Sequence, residues 1–89
     1  MMEPLEIVAQ GTPNPNAVKF TLNRVVANQG KTYRDATTAD VKWAKQLLQI
    51  AGVAQIFAVN NFISVMKMAD ATWDEIVPQA EQVLRESFV

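Results

Sequence analysis

The sequence predicts one α+β domain, a mostly antiparallel four-stranded sheet with two helices on one face. Several segments alternate apolar and polar residues as half-buried strands do, and two others place apolar residues at helical spacing. The chain has 89 residues, which is enough for one modest hydrophobic core and too few for two. We therefore expect residues 1–89 to form a single domain.

Residues 5–10 and 17–23 are predicted to form the first two strands. Leu5, Ile7 and Ala9 share one face of the first strand. In the second strand Val18, Phe20 and Leu22 face one way and Lys19, Thr21 and Asn23 the other, as in a half-buried strand. Between the strands, residues 12–16 read Thr-Pro-Asn-Pro-Asn. The two prolines fix φ and remove two N–H donors, so this segment, called the Pro-Asn loop below, should be a turn.

The stretch from residue 24 to residue 37 allows two interpretations. It forms either a short hairpin hung from the sheet, in which Gly30 supplies a positive φ, or an irregular loop, and the hairpin is preferred. A helix should follow, with Thr37 or Thr38 as its cap and Asp40 in its first turn. Gly52 is expected to end this helix as its C′ residue.

Residues 53–59 and 62–68 are predicted to be two strands joined by a type I′ turn at Asn60-Asn61. The turn fixes the register, so that Val59 opposes Phe62. The outward face should then contain Gln55, Phe57, Val59, Phe62, Ser64 and Met66. The inward face should contain Ala54, Ile56, Ala58, Ile63, Val65 and Lys67.

Thr72 and Glu75 form a Thr-x-x-Glu capping box that opens the last helix. Pro78 lies just beyond the first turn, where it removes a hydrogen bond and crowds the carbonyl of Asp74. We expect either a kink there or a helix that begins near Val77. The resulting order, ββαββα, differs from the βαβ start of the ferredoxin-like RNA-recognition fold.

Composition restricts the chemistry. The chain contains no cysteine and no histidine, so it has no thiol nucleophile, no imidazole base and no soft metal ligand. It cannot hold an iron–sulfur cluster through the usual thiolates. We therefore expect a protein that is not an enzyme and that binds no metal or cofactor by itself.

Charge and hydropathy bear on location and partners. No apolar run approaches the roughly 20 residues that span a bilayer, and the first residues are acidic where a secretory signal is basic. Together with the lack of cysteine, this favours a cytoplasmic protein with no membrane partner. The net charge of −1 argues against nucleic-acid binding. The charged residues within 70–89 are five acids and Arg85. Either this segment is simply a solvated acidic helix, or the more basic remainder of the chain faces an acidic partner.

Several motifs together resemble a known family. The Pro-Asn loop is followed by Lys19-Phe20, and this Thr-Pro-Asn-Pro-Asn-x-x-Lys-Phe run is similar to the signature of the N-terminal domain of Nfu/NifU-type iron–sulfur cluster scaffold proteins. Residues 50–57 are similar to that domain's passage from helix to strand. Residues 61–67 are similar to its last hairpin strand, and Trp73 to the start of its last helix. The resemblance covers nearly the whole chain.

In that family, this domain precedes a second domain whose Cys-x-x-Cys binds a bridging iron–sulfur cluster. The resemblance implies a role in cluster assembly or delivery, whereas these residues contain no Cys-x-x-Cys. The expected function is therefore that of a non-enzymatic accessory or interaction domain, a standalone copy that meets a cluster only through a partner. That partner is expected to be a Cys-x-x-Cys scaffold, with a second copy of the chain as the alternative.

Two surfaces are candidates for partner binding. The first is the Pro-Asn loop with nearby basic residues, since a stiff loop binds at low entropic cost, although ordinary turn chemistry also explains the loop. Its candidate residues are Thr12, Asn14, Asn16, Lys19, Arg24 and Lys67. The second is the outward sheet face, where Phe57, Phe62 and Met66 would form an exposed apolar patch, unless the faces are reversed or residues 24–37 cover it.

The alternative function is a sensor domain that binds a small ligand or iron through the Pro-Asn loop and adjacent basic residues. An enzyme is the weakest hypothesis, because no histidine is present to activate the hydroxyl of Ser64 or Tyr33. Saturable binding of iron or of an anion to the isolated domain would favour the sensor.

Overall fold

The computed structural model describes residues 4–88, which form five strands and two helices. The elements are β1 (Ile7–Gly11), β2 (Ala17–Leu22), β3 (Ala27–Tyr33), α1 (Lys42–Leu48), β4 (Val53–Asn60), β5 (Phe62–Lys67) and α2 (Trp73–Phe88). All strand pairs are antiparallel, in the order β1-β2-β5-β4-β3. The α+β class with two helices is confirmed, and the predicted four-stranded ββαββα order lacks one strand.

The strand that was not predicted is β3, which lies at one edge of the sheet. Tyr33 opposes Ile56 and Lys31 opposes Ala58, and the register shifts between Ala27 and Lys31. The predicted hairpin within residues 24–37 is therefore wrong. The segment pairs with β4, which follows α1 in the chain, and not with itself.

The β4–β5 register is confirmed from Gln55 to Val59, whereas a shift between Val53 and Gln55 pairs Val53 with Lys67. The observed pairs are Val59 with Phe62, Phe57 with Ser64 and Gln55 with Met66. The turn itself differs from a type I′ turn, which needs a positive φ at both central residues. Asn60, with a φ of 53°, is the single non-glycine residue with a positive φ among residues 4–88. The carbonyl of Asn60 accepts the N–H of Val26 at 2.6 Å and that of Asn61 accepts the N–H of Leu22 at 2.8 Å, so the segment before β3 and the end of β2 both hold the turn.

One hydrophobic core lies between the sheet and the two helices. The inward positions predicted for β4 and β5 supply Ile56, Ala58, Ile63 and Val65, each 0% exposed. The second strand adds Phe20 and Leu22, and the helices add Ala44, Leu47, Ile76, Ala80 and Leu84. Because α1 contacts both α2 and β4, the helices cover the inward face and leave the other sheet face uncovered by them. Neither helix within residues 4–88 is long and apolar enough to cross a membrane.

The start of α1 differs from the prediction. The helix begins at Lys42 after Val41, and this end has no side-chain capping hydrogen bond. Thr37 instead donates its N–H and its hydroxyl to Oδ1 of Asp35, at 2.9 and 2.8 Å. The Thr38 hydroxyl donates to the Asp35 carbonyl at 3.1 Å. The two threonines therefore order a turn that precedes the helix.

The end of α1 also lies earlier than predicted. The helix ends at Leu48 with Gln49 as its C-cap, so Gly52 is not the C′ residue. Gly52 has a φ of 93° and lies in the turn that leads into β4, where its carbonyl accepts the N–H of Met68 at 2.7 Å. A glycine is needed at this position because other residues rarely adopt that φ.

The start of α2 is confirmed. The helix begins directly after Thr72, whose carbonyl accepts the N–H groups of Glu75 and Ile76 at 3.3 Å each. The helix continues through Pro78, so the alternative start near Val77 is wrong.

Candidate functional site

The Pro-Asn loop uses its polar groups to hold its own backbone. Thr12 Oγ1 lies 2.9 Å from the carbonyl of Asn14 and 3.1 Å from that of Ala17, and it accepts the N–H of Asn14 at 3.2 Å. The side-chain oxygen of Asn14 accepts the N–H of Asn16 at 2.9 Å. These are the local bonds that make Asn and Thr good turn formers. The Thr12 hydroxyl and the Asn14 side-chain oxygen therefore serve the turn.

Long-range hydrogen bonds join this loop to β5 and α2. Lys67 donates its side-chain Nζ to Asn16 Oδ1 at 3.1 Å and its backbone N–H to the Asn16 carbonyl at 2.8 Å. Trp73 Nε1 donates to the carbonyl of Pro15 at 3.0 Å. Three of the motifs that carry the family resemblance, the Pro-Asn loop, the last hairpin strand and Trp73, therefore meet at one place. The role of the Trp73 indole was not predicted, because its acceptor is a backbone group far away in the sequence.

The basic candidates do not all converge on the loop. The guanidinium of Arg24 donates to the carbonyl of Phe88, at the end of α2, where a cation is favoured by the helix dipole. Lys19 lies on the outward sheet face, with its Nζ 4.4 Å from the centre of the Phe62 ring. Of the predicted loop set, the structure brings together Thr12, Asn14, Asn16 and Lys67.

A separate polar cluster joins β3 to the segment before α1. Nζ of Lys31 pairs with Asp40 Oδ2, and the Tyr33 hydroxyl donates to Asp40 Oδ1 at 3.0 Å. The hydrogen bond from Lys31 lowers the pKa of Asp40 and raises that of Lys31. Burial, and then the hydrogen bond to Asp40, raise the pKa of Tyr33. Asp40 therefore holds the edge strand and does not lie in the first turn of α1, as was predicted.

The outward sheet face carries an aromatic pair. The rings of Phe57 and Phe62 are 6.4 Å apart and inclined by 50°, and Phe57 is 37% exposed. A Cβ built on Gly30 would lie 3.1 Å from Cζ of Phe57, so this ring extends over β3. Met66 is half-buried on the same face, opposite Gln55. Phe57, Phe62 and Met66 thus share one face, and β3 widens this face without folding over it.

The opposite side of the molecule holds a second aromatic cluster. The Trp43 ring lies 6.0 Å from that of Tyr33 and 5.6 Å from that of Phe88, so this α1 side chain packs between β3 and the end of α2. Within residues 4–88, no group of three or more acidic side chains is placed to hold a metal ion.

Comparison with known proteins decides the family. The family described as "Scaffold protein Nfu/NifU N terminal" matches residues 7–89. The chain belongs to this family. The resemblance read from the Pro-Asn loop, the last hairpin and Trp73 is therefore confirmed.

Longer proteins are among the curated relatives of this Nfu/NifU N-terminal domain. The conserved virulence factor C of Staphylococcus aureus (strain MRSA252) is 36% identical over 78 residues, which are 86% of this chain and 20% of that protein. The mitochondrial NFU1 iron–sulfur cluster scaffold homologue of Drosophila persimilis is 34% identical over 85 residues, covering 92% of this chain and 30% of that protein. The chain thus spans less than a third of either relative.

Two solved structures share the fold over nearly their full length. The crystal structure of Staphylococcus aureus protein SAV1430 has a TM-score of 0.81 and 33% sequence identity, and the match covers 89% of this chain and 98% of that chain. A Staphylococcus epidermidis protein solved by NMR has a TM-score of 0.65 and 36% identity, with 92% and 98% covered.

Proposed function

We propose that this domain is a non-enzymatic interaction module that works in the assembly or delivery of iron–sulfur clusters. Membership of the Nfu/NifU N-terminal family is the observation that carries the proposal. The relative whose name includes iron–sulfur cluster scaffold supports the same role. Because these residues contain no cysteine and no histidine, the thiolates that hold a cluster come from another polypeptide or another domain.

We assign partner binding to the outward sheet face. Phe57 and Phe62 lie side by side there, and exposed apolar area is disfavoured in water by roughly 25 cal/mol per Å². Aromatic side chains are enriched in interfaces. The ammonium of Lys19 over the Phe62 ring adds a positive charge that favours an acidic rim on the partner. The Pro-Asn loop, whose polar groups bind within the fold, supports the sheet and is the weaker candidate.

The first test concerns iron. The purified domain, incubated anaerobically with iron, sulfide and a thiol reductant and then desalted, should stay colourless and free of stoichiometric iron. The physical reason is the lack of thiolate and imidazole ligands. Visible absorption near that of a cluster, with matching iron content, would contradict the interaction module. Saturable heat on titration with ferrous salt would favour the sensor instead.

The second test concerns the partner surface. The probe is the purified Cys-x-x-Cys domain of an Nfu protein from the same organism, with and without its cluster, titrated by calorimetry. The wild-type chain should bind it, and Phe62→Glu should weaken binding at least about tenfold, since it places a charge where apolar contact is needed. The fold should survive, because Phe62 lies on the face that the helices leave uncovered.

Val25→Glu is the matched control. Val25 is 66% exposed and lies between β2 and β3, outside the two strands that carry the aromatic pair, so this variant makes the same change of charge on another segment. It should bind as the wild type does. Equal loss in both variants would assign the effect to net charge, and the outward face would no longer be the binding surface.

A further inference from the structure

The two edges of the sheet are protected to different degrees. The β3 edge carries a register shift between Ala27 and Lys31 and a charged side chain that pairs with Asp40. Bulges and charged side chains, lysine especially, are devices that keep sheet edges from joining. The β1 edge reads Ile-Val-Ala-Gln-Gly, has no charged residue, and keeps a regular register with β2. Within residues 4–88, no other strand pairs with the outer side of β1.

The hydrogen bonds at the start of β1 identify its free backbone groups. The carbonyl of Glu6 accepts the N–H of Asn23 at 3.2 Å, and the N–H of Glu6 donates to the Asn23 side-chain oxygen at 3.0 Å. Both backbone groups of Glu6 therefore point toward β2. Because direction alternates along an antiparallel strand, those of Val8 and Gln10 do the same. The residues whose N–H and C=O point away from the sheet are Ile7, Ala9 and Gly11.

We propose that the outer edge of β1 pairs antiparallel with the same edge of a second copy of this chain. A twofold axis at Ala9 places this residue opposite its own copy and places Ile7 opposite the copy's Gly11. Every outward-pointing group then meets another outward-pointing group, which gives about six hydrogen bonds between the strands. A slip by one residue would place outward-pointing groups opposite inward-pointing ones.

The side chains of β1 suit this pairing with itself. Val8 opposes the copy's Gln10, and Ile7 opposes the copy's Gly11. Because the strand carries no charged residue, no like charges face each other across the pairing. Val8 is 53% exposed and gains the copy's Val8 as a diagonal neighbour on the same face. Pro4 and Pro13 flank the strand and limit the pairing to about five residues, or ~17 Å. Two sheets joined in this way form one continuous sheet.

The substitution Ala9→Pro tests the proposal by removing one outward-pointing N–H group. The N–H that it removes points away from the sheet, so no hydrogen bond with β2 is lost, and proline is accepted at such edge positions. In sedimentation, the wild type should show a monomer–dimer equilibrium. Ala9→Pro should weaken dimerisation at least about tenfold. The melting temperature of this variant at low protein concentration should stay close to that of the wild type. Ala9→Ser, which keeps the N–H, should dimerise as the wild type does.

Val8→Lys is a second variant that avoids any change in the backbone. It places two lysines on neighbouring positions of one face, so dimerisation should weaken at low salt and recover partly at high salt. A wild-type chain that stays monomeric up to about 1 mM would overturn the proposal, as would folded Ala9→Pro and Val8→Lys chains that dimerise like the wild type. No scaffold is present in these measurements, so their result is independent of the proposed function.

Discussion

Replacing Gly52 by alanine is expected to lower the free energy of unfolding by about 3 kcal/mol. The φ of Gly52 is 93°, a value that strains any residue with a Cβ. The added Cβ would also lie 2.6 Å from Cβ of Ala71 and 3.3 Å from Cδ1 of Ile76. Carbon atoms pack favourably at about 3.5–4.0 Å, so either the turn into β4 or the segment before α2 must move. Urea denaturation followed by circular dichroism measures the loss.

Gly11→Ala is the matched control for this substitution. Gly11 has no heavy atom within 4 Å of a built Cβ, so the change should cost less than about 1 kcal/mol. The double variant Gly52→Ala with Ala71→Gly removes the closer of the two contacts and leaves the φ strain in place. Partial recovery of stability would separate the two causes. A Gly52→Ala chain as stable as the wild type would show that the turn before β4 adopts another conformation.

The pairing of β4 with β5 could be predicted from the sequence because every determinant of it is local. The turn dipeptide Asn60-Asn61 sets the register, and the alternation of apolar and polar residues on both sides sets the faces. The start of α2 after Thr72 is local in the same sense. The predicted type of turn was wrong, because the turn carbonyls accept hydrogen bonds from Leu22 of β2 and from Val26, just before β3, and these residues are distant in the sequence.

The strand β3 could not be predicted in this way. Its sequence, Ala-Asn-Gln-Gly-Lys-Thr-Tyr, has little of the apolar alternation that marks a half-buried strand. It is a strand because β4 offers it backbone partners, and Tyr33 is the residue of this segment that lies in the core. The early part of α1 was misassigned for a related reason. Asp40 has the chemistry of a first-turn residue but is bound by Lys31 and Tyr33 of β3.

The candidate site was predictable in part. The shared face of Phe57, Phe62 and Met66 follows from the register alone. The side chains of Thr12 and Asn14 do form the turn, which was the more ordinary of their two interpretations, whereas the Asn16 side chain bonds to Lys67 of β5. The contact between Trp73 and Pro15 depends on how the last helix docks beside the loop, and no local pattern encodes it.

Ile63→Ala is expected to lower the free energy of unfolding by about 3 kcal/mol, whereas Phe62→Ala should lower it by about 1 kcal/mol. The two residues are neighbours in β5 but point to opposite faces. Ile63 is 0% exposed, and its truncation leaves a cavity among the core residues of both helices. Phe62 is half-buried beside Phe57 and Lys19, so water can fill the space that its ring leaves.

This pair of variants tests the assignment of faces on which the proposed binding surface depends. Both substitutions remove apolar atoms from adjacent positions of one strand, so differences in strand propensity largely cancel. The total stability of an 89-residue chain is roughly 4–13 kcal/mol, so a loss of about 3 kcal/mol shifts the urea midpoint clearly. If Phe62→Ala costs as much as Ile63→Ala, Phe62 belongs to a buried core. In that case its ring is unavailable to a partner, and any loss of binding in Phe62→Glu reports unfolding.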